Sequence, residues 1–148
     1  MKYKLTNKKI VGNIAFYQIE ALKDFLNVKK GDSGGWIEKE SNLSHHGNCW
    51  VSGDARVSGD AEVFGDARVS GNAWVSGNAW VFDDARVTGY ARVTGDAQVF
   101  GDAEVFGDAR VSGYARVTGN AWVSGDARVS GNAWVFGNAR VSGNAIIN

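Results

Sequence analysis

The chain has 148 residues and carries 16 basic and 16 acidic side chains, so its formal net charge is zero. A chain of this length favours a single domain, and a balanced charge gives no general reason to expect nucleic acid or an anionic membrane as partner. No apolar run is long enough to span a bilayer, and the basic N-terminus lacks the apolar stretch of a secretory signal. The single cysteine, Cys49, cannot form an internal disulfide, which is typical of a reducing compartment. We therefore predict a cytoplasmic protein.

The first third of the chain is not repetitive and is interpreted as an N-terminal β cap over residues 1–36. Residues 3–6 and 13–22 have the composition of strands, and residues 29–44 are expected to lead into the first coil of a repeat. A cap of this kind covers the unpaired strand groups that otherwise invite edge pairing. Together with the repeats in residues 37–148, it is predicted to form one structural domain.

Six-residue spacing begins at Ile37 and Leu43, is interrupted at His45 and His46, where the register gains two residues, and is regular from Val51. Residues 51–146 contain 16 hexads (96 residues divided by six) of the form Val-[Ser/Thr/Phe]-Gly-[Asp/Asn/Tyr]-Ala-x, with Asp83 as the one exception in the glycine position. A helix advances about 100° per residue, so a valine at every sixth position would not form one helical face. In a short strand, Ala and the next Val point to the same side, and Gly with Asp or Asn suits a corner. A flexible Gly- and Ser-rich tract would not require this regularity.

A longer period in the second position of the hexads sets the size of one coil. Phe64, Phe82, Phe100 and Phe136 are spaced by 18, 18 and 36 residues, and Thr118 fills the gap. A period of 18 residues corresponds to three hexads per coil. The sequence therefore predicts an all-β fold, a parallel β-helix with three hexads per coil.

The pairing of a valine with a small residue four positions later, in every hexad from Val51 and Ala55 onward, resembles the hexapeptide-repeat superfamily. This resemblance implies a left-handed β-helix and a homotrimer. The segment KYKLT…ALKDF…VKKGDSGGWIEKESNLSHHGNCWV is also similar to small phage and prophage hexapeptide-repeat proteins of the YdcK-like family. Members of that family are often described as acyltransferases by analogy of fold, which by itself does not establish an activity.

One face of the predicted prism carries an apolar stripe larger than a monomer usually exposes. Its members, interpreted as the oligomer interface, are Phe64, Phe82, Phe100, Phe136, Trp80 and Trp134. A platform on which a ligand stacks is the alternative interpretation of the same residues.

A second face carries arginines flanked by hydroxyl side chains. The candidate anion- or ligand-binding residues there are Arg56, Arg92, Arg110, Arg128, Thr94 and Ser112. Stacked like charges repel unless they are neutralised, and Asp54, Asp108 and Asp126 each precede an arginine by two residues. The face is therefore either a solvated, salt-bridged surface or a groove for a nucleotide or other anion.

On the third face, Arg86 and Glu104 are one coil apart and are expected to pair.

Catalytic candidates are few, because His45 and His46 are the only histidines. If either acted as the base of an acyltransferase, its orienting carboxylate would have to come from elsewhere, such as Glu38 or Glu40. A zinc site of the β-helical carbonic anhydrase type needs three histidines, and this sequence has only two. Neither a metal nor a cofactor is therefore predicted. The preferred hypothesis is a non-enzymatic phage- or prophage-type binding or scaffold protein. The alternatives are a nucleotide- or anion-binding protein, which in a phage could sequester a host defence signal, and a hexapeptide acyltransferase.

Overall fold

The structure is a computed structural model that describes residues 1–148 and consists almost entirely of strands. The longer strands are β1 (Tyr3–Val11), β2 (Ile14–Ala21) and β3 (Ser33–Ile37), and the one helical element is a 3-10 turn at Glu40–Asn42. No helix has the length and apolar character needed to cross a membrane.

Seventeen two-residue strands follow, one per hexad. They are β4 (Trp50–Val51), β5 (Arg56–Val57), β6 (Glu62–Val63), β7 (Arg68–Val69), β8 (Trp74–Val75), β9 (Trp80–Val81), β10 (Arg86–Val87), β11 (Arg92–Val93), β12 (Gln98–Val99), β13 (Glu104–Val105), β14 (Arg110–Val111), β15 (Arg116–Val117), β16 (Trp122–Val123), β17 (Arg128–Val129), β18 (Trp134–Val135), β19 (Arg140–Val141) and β20 (Ile146–Ile147).

These strands stack in parallel into a β-solenoid with three sheets. Partners are 18 residues apart throughout the regular repeats, as in Arg92 with Arg110. The predicted all-β class and the three hexads per coil are therefore confirmed. Face one contains β1-β2-β3-β5-β8-β11-β14-β17-β20, face two contains β6-β9-β12-β15-β18, and face three contains β4-β7-β10-β13-β16-β19.

The interior of the prism is filled by the valine of each hexad and by the alanine two residues before it. From Val51 to Val129 every such valine is at most 1% exposed. Burying a valine side chain contributes about 1.5–3 kcal/mol. Because each coil repeats the same pairs, the core is continuous along the whole solenoid, and the flanking side chains are left to face outward.

The corners of the coils are close-packed backbone. Gly95 has φ +65°, and a Cβ built on it would lie 2.9 Å from the backbone nitrogen of Gly113 in the next coil. The repeat therefore needs glycine here both for its left-handed conformation and for its lack of a side chain. Asp83, the one replacement, also has positive φ (57°), and its Oδ2 accepts a hydrogen bond from the Gly101 N–H at 3.2 Å.

The N-terminal cap continues face one. Strands β1 and β2 form an antiparallel hairpin, and β3 pairs antiparallel with β2 and parallel with β5, so β3 spans the boundary predicted at residue 36. Leu43 pairs with Val63, an offset of 20 residues, whereas Trp50 pairs with Arg68, an offset of 18. The two-residue gain in register predicted at positions 45 and 46 is therefore confirmed.

Candidate functional site

Face two carries a column of aromatic rings, here called the aromatic stripe (Phe64, Phe82, Phe100 and Trp80). The rings of Phe64, Phe82 and Phe100 stack with 4.8 Å between successive centroids and with planes within 4° of parallel. Trp80 packs edge-on against Phe64 and Phe82 at 5.8 and 6.3 Å and is 41% exposed. The parallel register of the coils imposes this stacking, because it places equivalent side chains directly above one another.

The predicted interface residues of the last coil lie outside this stack. Thr118 separates Phe136 from Phe100, and Phe136 is 63% exposed. Trp134 is 61% exposed and is covered on one side only, by Arg116 with its guanidinium carbon 5.3 Å from the ring centroid. The aromatic stripe is thus an ordered apolar surface, and the last two residues extend it less regularly.

The arginine column on face one is exposed and lacks acidic partners. Arg92, Arg110 and Arg128 are register neighbours, and no carboxylate lies within 4.0 Å of any of them. The salt bridges from Asp54, Asp108 and Asp126 that one interpretation of this face included are therefore not formed. The corner turns the chain between each aspartate and its arginine, so the short carboxylate side chain does not reach the guanidinium. Thr94 and Ser112 lie half-buried beside the column, and none of the open concavities of the surface is lined by these residues.

Arg56, the first arginine of that column, is in a different environment. Its guanidinium carbon lies 5.8 Å from the ring centroid of Phe16 in the cap and 5.1 Å from that of Trp74 in the next coil. Phe16 is fully buried against this face, and the indole N–H of Trp74 donates to Ser58 Oγ at 2.9 Å. Arg56 therefore packs the cap onto the solenoid and is not presented to a ligand in the same way as its neighbours.

The pairing predicted on face three is also wrong. Arg86 and Glu104 are register partners, yet their charged groups are not within 4.0 Å of each other. Both line an open concavity of about 360 Å³, together with Asp84 and Asp102. Flat outward-facing positions leave both long side chains free to extend into solvent, where an exposed ion pair gains little.

His45 lies half-buried between the cap and the first coil, with 25% of its side chain exposed. Its Nδ1 accepts the backbone N–H of Lys2 at 3.2 Å, and its ring stacks on Tyr3 at 4.0 Å between centroids. Its Nε2 is covered, has no hydrogen-bond partner and lies 3.8 Å from Glu40 Oε1. Burial lowers the pKa of His45 below its usual value, and the nearby Glu40 carboxylate opposes this shift only in part. Neither ring nitrogen is presented to a substrate.

His46, the other candidate base, lies on the same bulge. Its backbone N–H donates to Ser44 Oγ at 3.0 Å, and its side chain makes no hydrogen bond. Neither predicted carboxylate orients it. Glu38 accepts the Gly59 N–H at 2.7 Å, and Glu40 lies beside His45. No group of three or more His, Cys, Asp or Glu side chains is arranged to hold a metal ion.

A buried polar cluster next to His45 was not predicted from the sequence. Lys2 is fully buried, and its ammonium donates to the Cys49 carbonyl at 2.6 Å and to the Gly47 carbonyl at 3.3 Å. Its Nζ also lies 3.3 Å from Cys49 Sγ. Burial lowers the pKa of Lys2 and raises the pKa of Cys49. A lysine at position 2 carries no sequence signal of burial, because lysine is almost always exposed.

Comparison with known proteins relates the regular repeats to one family. The family model described as YdcK Beta solenoid repeat matches residues 61–77, 67–82, 109–125 and 121–137. A protein of Escherichia coli (strain K12) described as the uncharacterized acetyltransferase YdcK is 46% identical over 39 residues. That match covers 26% of this chain and only 12% of the length of the relative.

Proposed function

We propose that this chain is a non-enzymatic binding or scaffold protein that acts as a homotrimer, built on a β-solenoid whose repeats match the YdcK Beta solenoid repeat model in four segments. We place it in the cytoplasm and among proteins of phage or prophage type. The observation that supports the assembly is the aromatic stripe of face two, in which Phe64, Phe82 and Phe100 stack on the outside of the prism.

A second copy of this chain is the occupant that best fits the stripe. The stripe runs parallel to the solenoid axis, so copies packed side by side around a threefold axis bring one stripe against the next. Aromatic residues are enriched at the centres of interfaces, where charged residues are depleted. The net charge of zero means that identical copies do not repel one another over long range. The rigid, repetitive prism would then present its two other faces outward.

Replacing Phe82 and Phe100 together by serine tests this assignment by sedimentation velocity. We expect the wild-type chain to sediment as a trimer and the Phe82→Ser/Phe100→Ser variant as a monomer with an unchanged circular dichroism spectrum. The matched control is Phe106→Ser, because Phe106 occupies the same position of its hexad but lies on face three, packed against Trp122. A double variant that remains trimeric, or a control that dissociates equally, would refute the assignment of the interface.

The residues of this chain do not support the acetyltransferase activity that the description of the relative names. The matched segment covers 12% of that protein, and the regular repeats here contain no histidine. His45 uses Nδ1 for the backbone of Lys2 and keeps Nε2 covered, so it is poorly placed to act as a base. A calorimetric titration with millimolar acetyl-CoA should give no heat of binding. A saturable heat signal would instead support the acyltransferase hypothesis.

A further inference from the structure

A groove on face three lies where the cap overhangs the second and third coils. Its floor is formed by Arg68 and Arg86, which are register partners on β7 and β10, and by the hydroxyl-bearing residues that follow each of them, Ser70 and Thr88. Its wall is formed by residues 26–27 of the cap. The open concavity measures about 640 Å³, and none of its lining residues is acidic. Cap and repeats together therefore form a basic, hydroxyl-lined recess.

The two arginines of this groove place like charges one coil apart. Successive coils are about 4.8 Å apart, and like charges in register at this distance repel each other. No carboxylate lies within 4.0 Å of either guanidinium. Arg68 Nη1 instead donates to Asn27 Oδ1 at 2.9 Å, a neutral acceptor that orients the guanidinium without neutralising it. An anion placed between the two guanidiniums would remove this repulsion.

The surroundings of the groove determine on which side the anion sits. Asp66 and Asp84 line a neighbouring concavity on the other side of the same two arginines. These carboxylates repel an anion, whereas the Ser70 and Thr88 hydroxyls can donate hydrogen bonds to it. The favourable position is therefore the hydroxyl side, inside the groove and next to the cap.

The wall of the groove is a tight turn that presents an apolar side chain at the mouth. Leu26 has φ +47°, a left-handed conformation that is strained for a leucine, and it is 60% exposed. Two backbone hydrogen bonds between Phe25 and Val28 close the tight turn around it. Phe25 anchors the turn through its edge-on contact with Trp50, with 5.2 Å between ring centroids. Strain held in this way at the edge of a charged recess is typical of a binding site.

From this geometry we propose that the groove binds an organic phosphate. The phosphate lies between Arg68 and Arg86 and accepts hydrogen bonds from Ser70 and Thr88, and the organic part packs against Leu26. The exposed arginine column of face one has similar charges but lines none of the concavities and has no neighbouring wall from the cap. The site is on a different face from the aromatic stripe, so it does not depend on the proposed assembly.

Calorimetric titration of the full chain with two probes, inorganic pyrophosphate and ADP, tests this site. We expect both to bind, ADP more tightly, with dissociation constants below about 1 mM. The Arg68→Gln/Arg86→Gln variant should weaken both probes by about tenfold or more, because charge-assisted contacts to phosphate are lost. The matched control, Arg110→Gln/Arg128→Gln, removes an equivalent register pair from face one and should leave both affinities unchanged. Circular dichroism checks that each variant is folded.

The Leu26→Gly variant separates the two halves of the proposed ligand. Glycine adopts the left-handed conformation without strain, so the turn should be retained while the apolar contact is lost. We expect weaker binding of ADP and unchanged binding of pyrophosphate. Absence of heat with both probes, or equal losses in the two arginine variants, would overturn the proposed site. Unchanged ADP binding by Leu26→Gly would overturn the assignment of the organic part.

Discussion

Residues 1–50 and residues 51–148 bury their side chains by different means. In the repeats, every hexad contributes the same valine, alanine and corner, and the contacts of one coil recur in the next. In residues 1–50, each contact occurs once and several are polar. Asn42, for example, is fully buried, donates to the carbonyls of Gly59 and Ala61, and accepts the backbone N–H groups of Glu38 and Lys39.

The difference shows which region of the chain depends on particular residues for its structure. A repeat that contacts only its neighbours distributes its stability over many similar interfaces, so its fold follows from pattern alone. The cap requires particular residues at particular positions, because a buried polar group that loses its hydrogen-bond partner lowers the free energy of unfolding. The proposed phosphate-binding groove and the half-buried His45 both arise where the two regions meet.

Substitution of a corner glycine inside the stack should be the most destabilising change. Gly95→Ala places a Cβ 2.9 Å from the nitrogen and 3.0 Å from the oxygen of Gly113, at φ +65°. Strain and steric overlap together should lower the free energy of unfolding by about 3 kcal/mol. Gly137→Ala is the control, since it has the same backbone conformation with no atom within 4 Å of the new Cβ and should cost only about 1 kcal/mol. Equal losses in urea denaturation would contradict the close packing of corners.

Removal of the buried lysine of the cap should lower the free energy of unfolding by a smaller amount. Lys2→Ala leaves the Cys49 and Gly47 carbonyls without their donor and opens a cavity, so the free energy of unfolding should fall by about 2 kcal/mol. Lys4→Ala is the matched control two residues further along the chain, because Lys4 forms an exposed ion pair with Glu20 and should change stability by less than about 0.5 kcal/mol. Chemical denaturation of the two variants compares them, and similar midpoints would show that the buried ammonium contributes nothing.

Acidification should weaken the contact between cap and coil through His45. Burial, with smaller contributions from the N-terminal ammonium and from Lys2, lowers the pKa of His45 below 6.5 in the folded state, against the Glu40 carboxylate. The unfolded chain therefore binds a proton first as the pH falls through 6.5, and stability decreases from there down to the lowered folded pKa. Denaturation midpoints at about pH 7.5 and about pH 5 should show a smaller decrease in His45→Asn than in the wild type. His46→Asn should retain the wild-type decrease, and a decrease equal in all three proteins would exclude His45 as its source.

Extension of the aromatic stack should change the free energy of unfolding only slightly, and should raise it. Thr118→Phe fills the gap between Phe100 and Phe136, and the added ring pairs should raise the free energy of unfolding by about 0.5 kcal/mol. Thr94→Phe introduces the same ring on face one, where the register neighbours Ser76 and Ser112 give it nothing to stack on. Thermal denaturation of both variants at low concentration tests the difference, and stabilisation by Thr94→Phe alone would contradict the register of face two.

The regular part of the fold was predictable because its cause is local. Valine at every sixth position, with alanine two residues before it, is enough to assign the strands and the inward-facing side chains. The recurrence of Phe64, Phe82 and Phe100 assigns the coil length. Even the two extra residues at positions 45 and 46 are visible as a break in the spacing of six.

The site residues were less predictable because they depend on contacts between distant segments. Arg56 and Arg92 occupy the same position of the hexad, yet only Arg56 is packed against Phe16 from the cap. The groove at Arg68 exists because Asn27, 41 residues earlier in the chain, reaches the guanidinium. No periodicity in the repeats contains this information, since the cap is not periodic.

A native mass spectrum of the wild-type protein purified from its host cell tests most directly whether the aromatic stripe of face two joins identical copies. We predict a peak at three times the chain mass. A peak at the mass of one chain, at concentrations where trimeric proteins remain associated, would contradict the proposed assembly and the role assigned to Phe82 and Phe100.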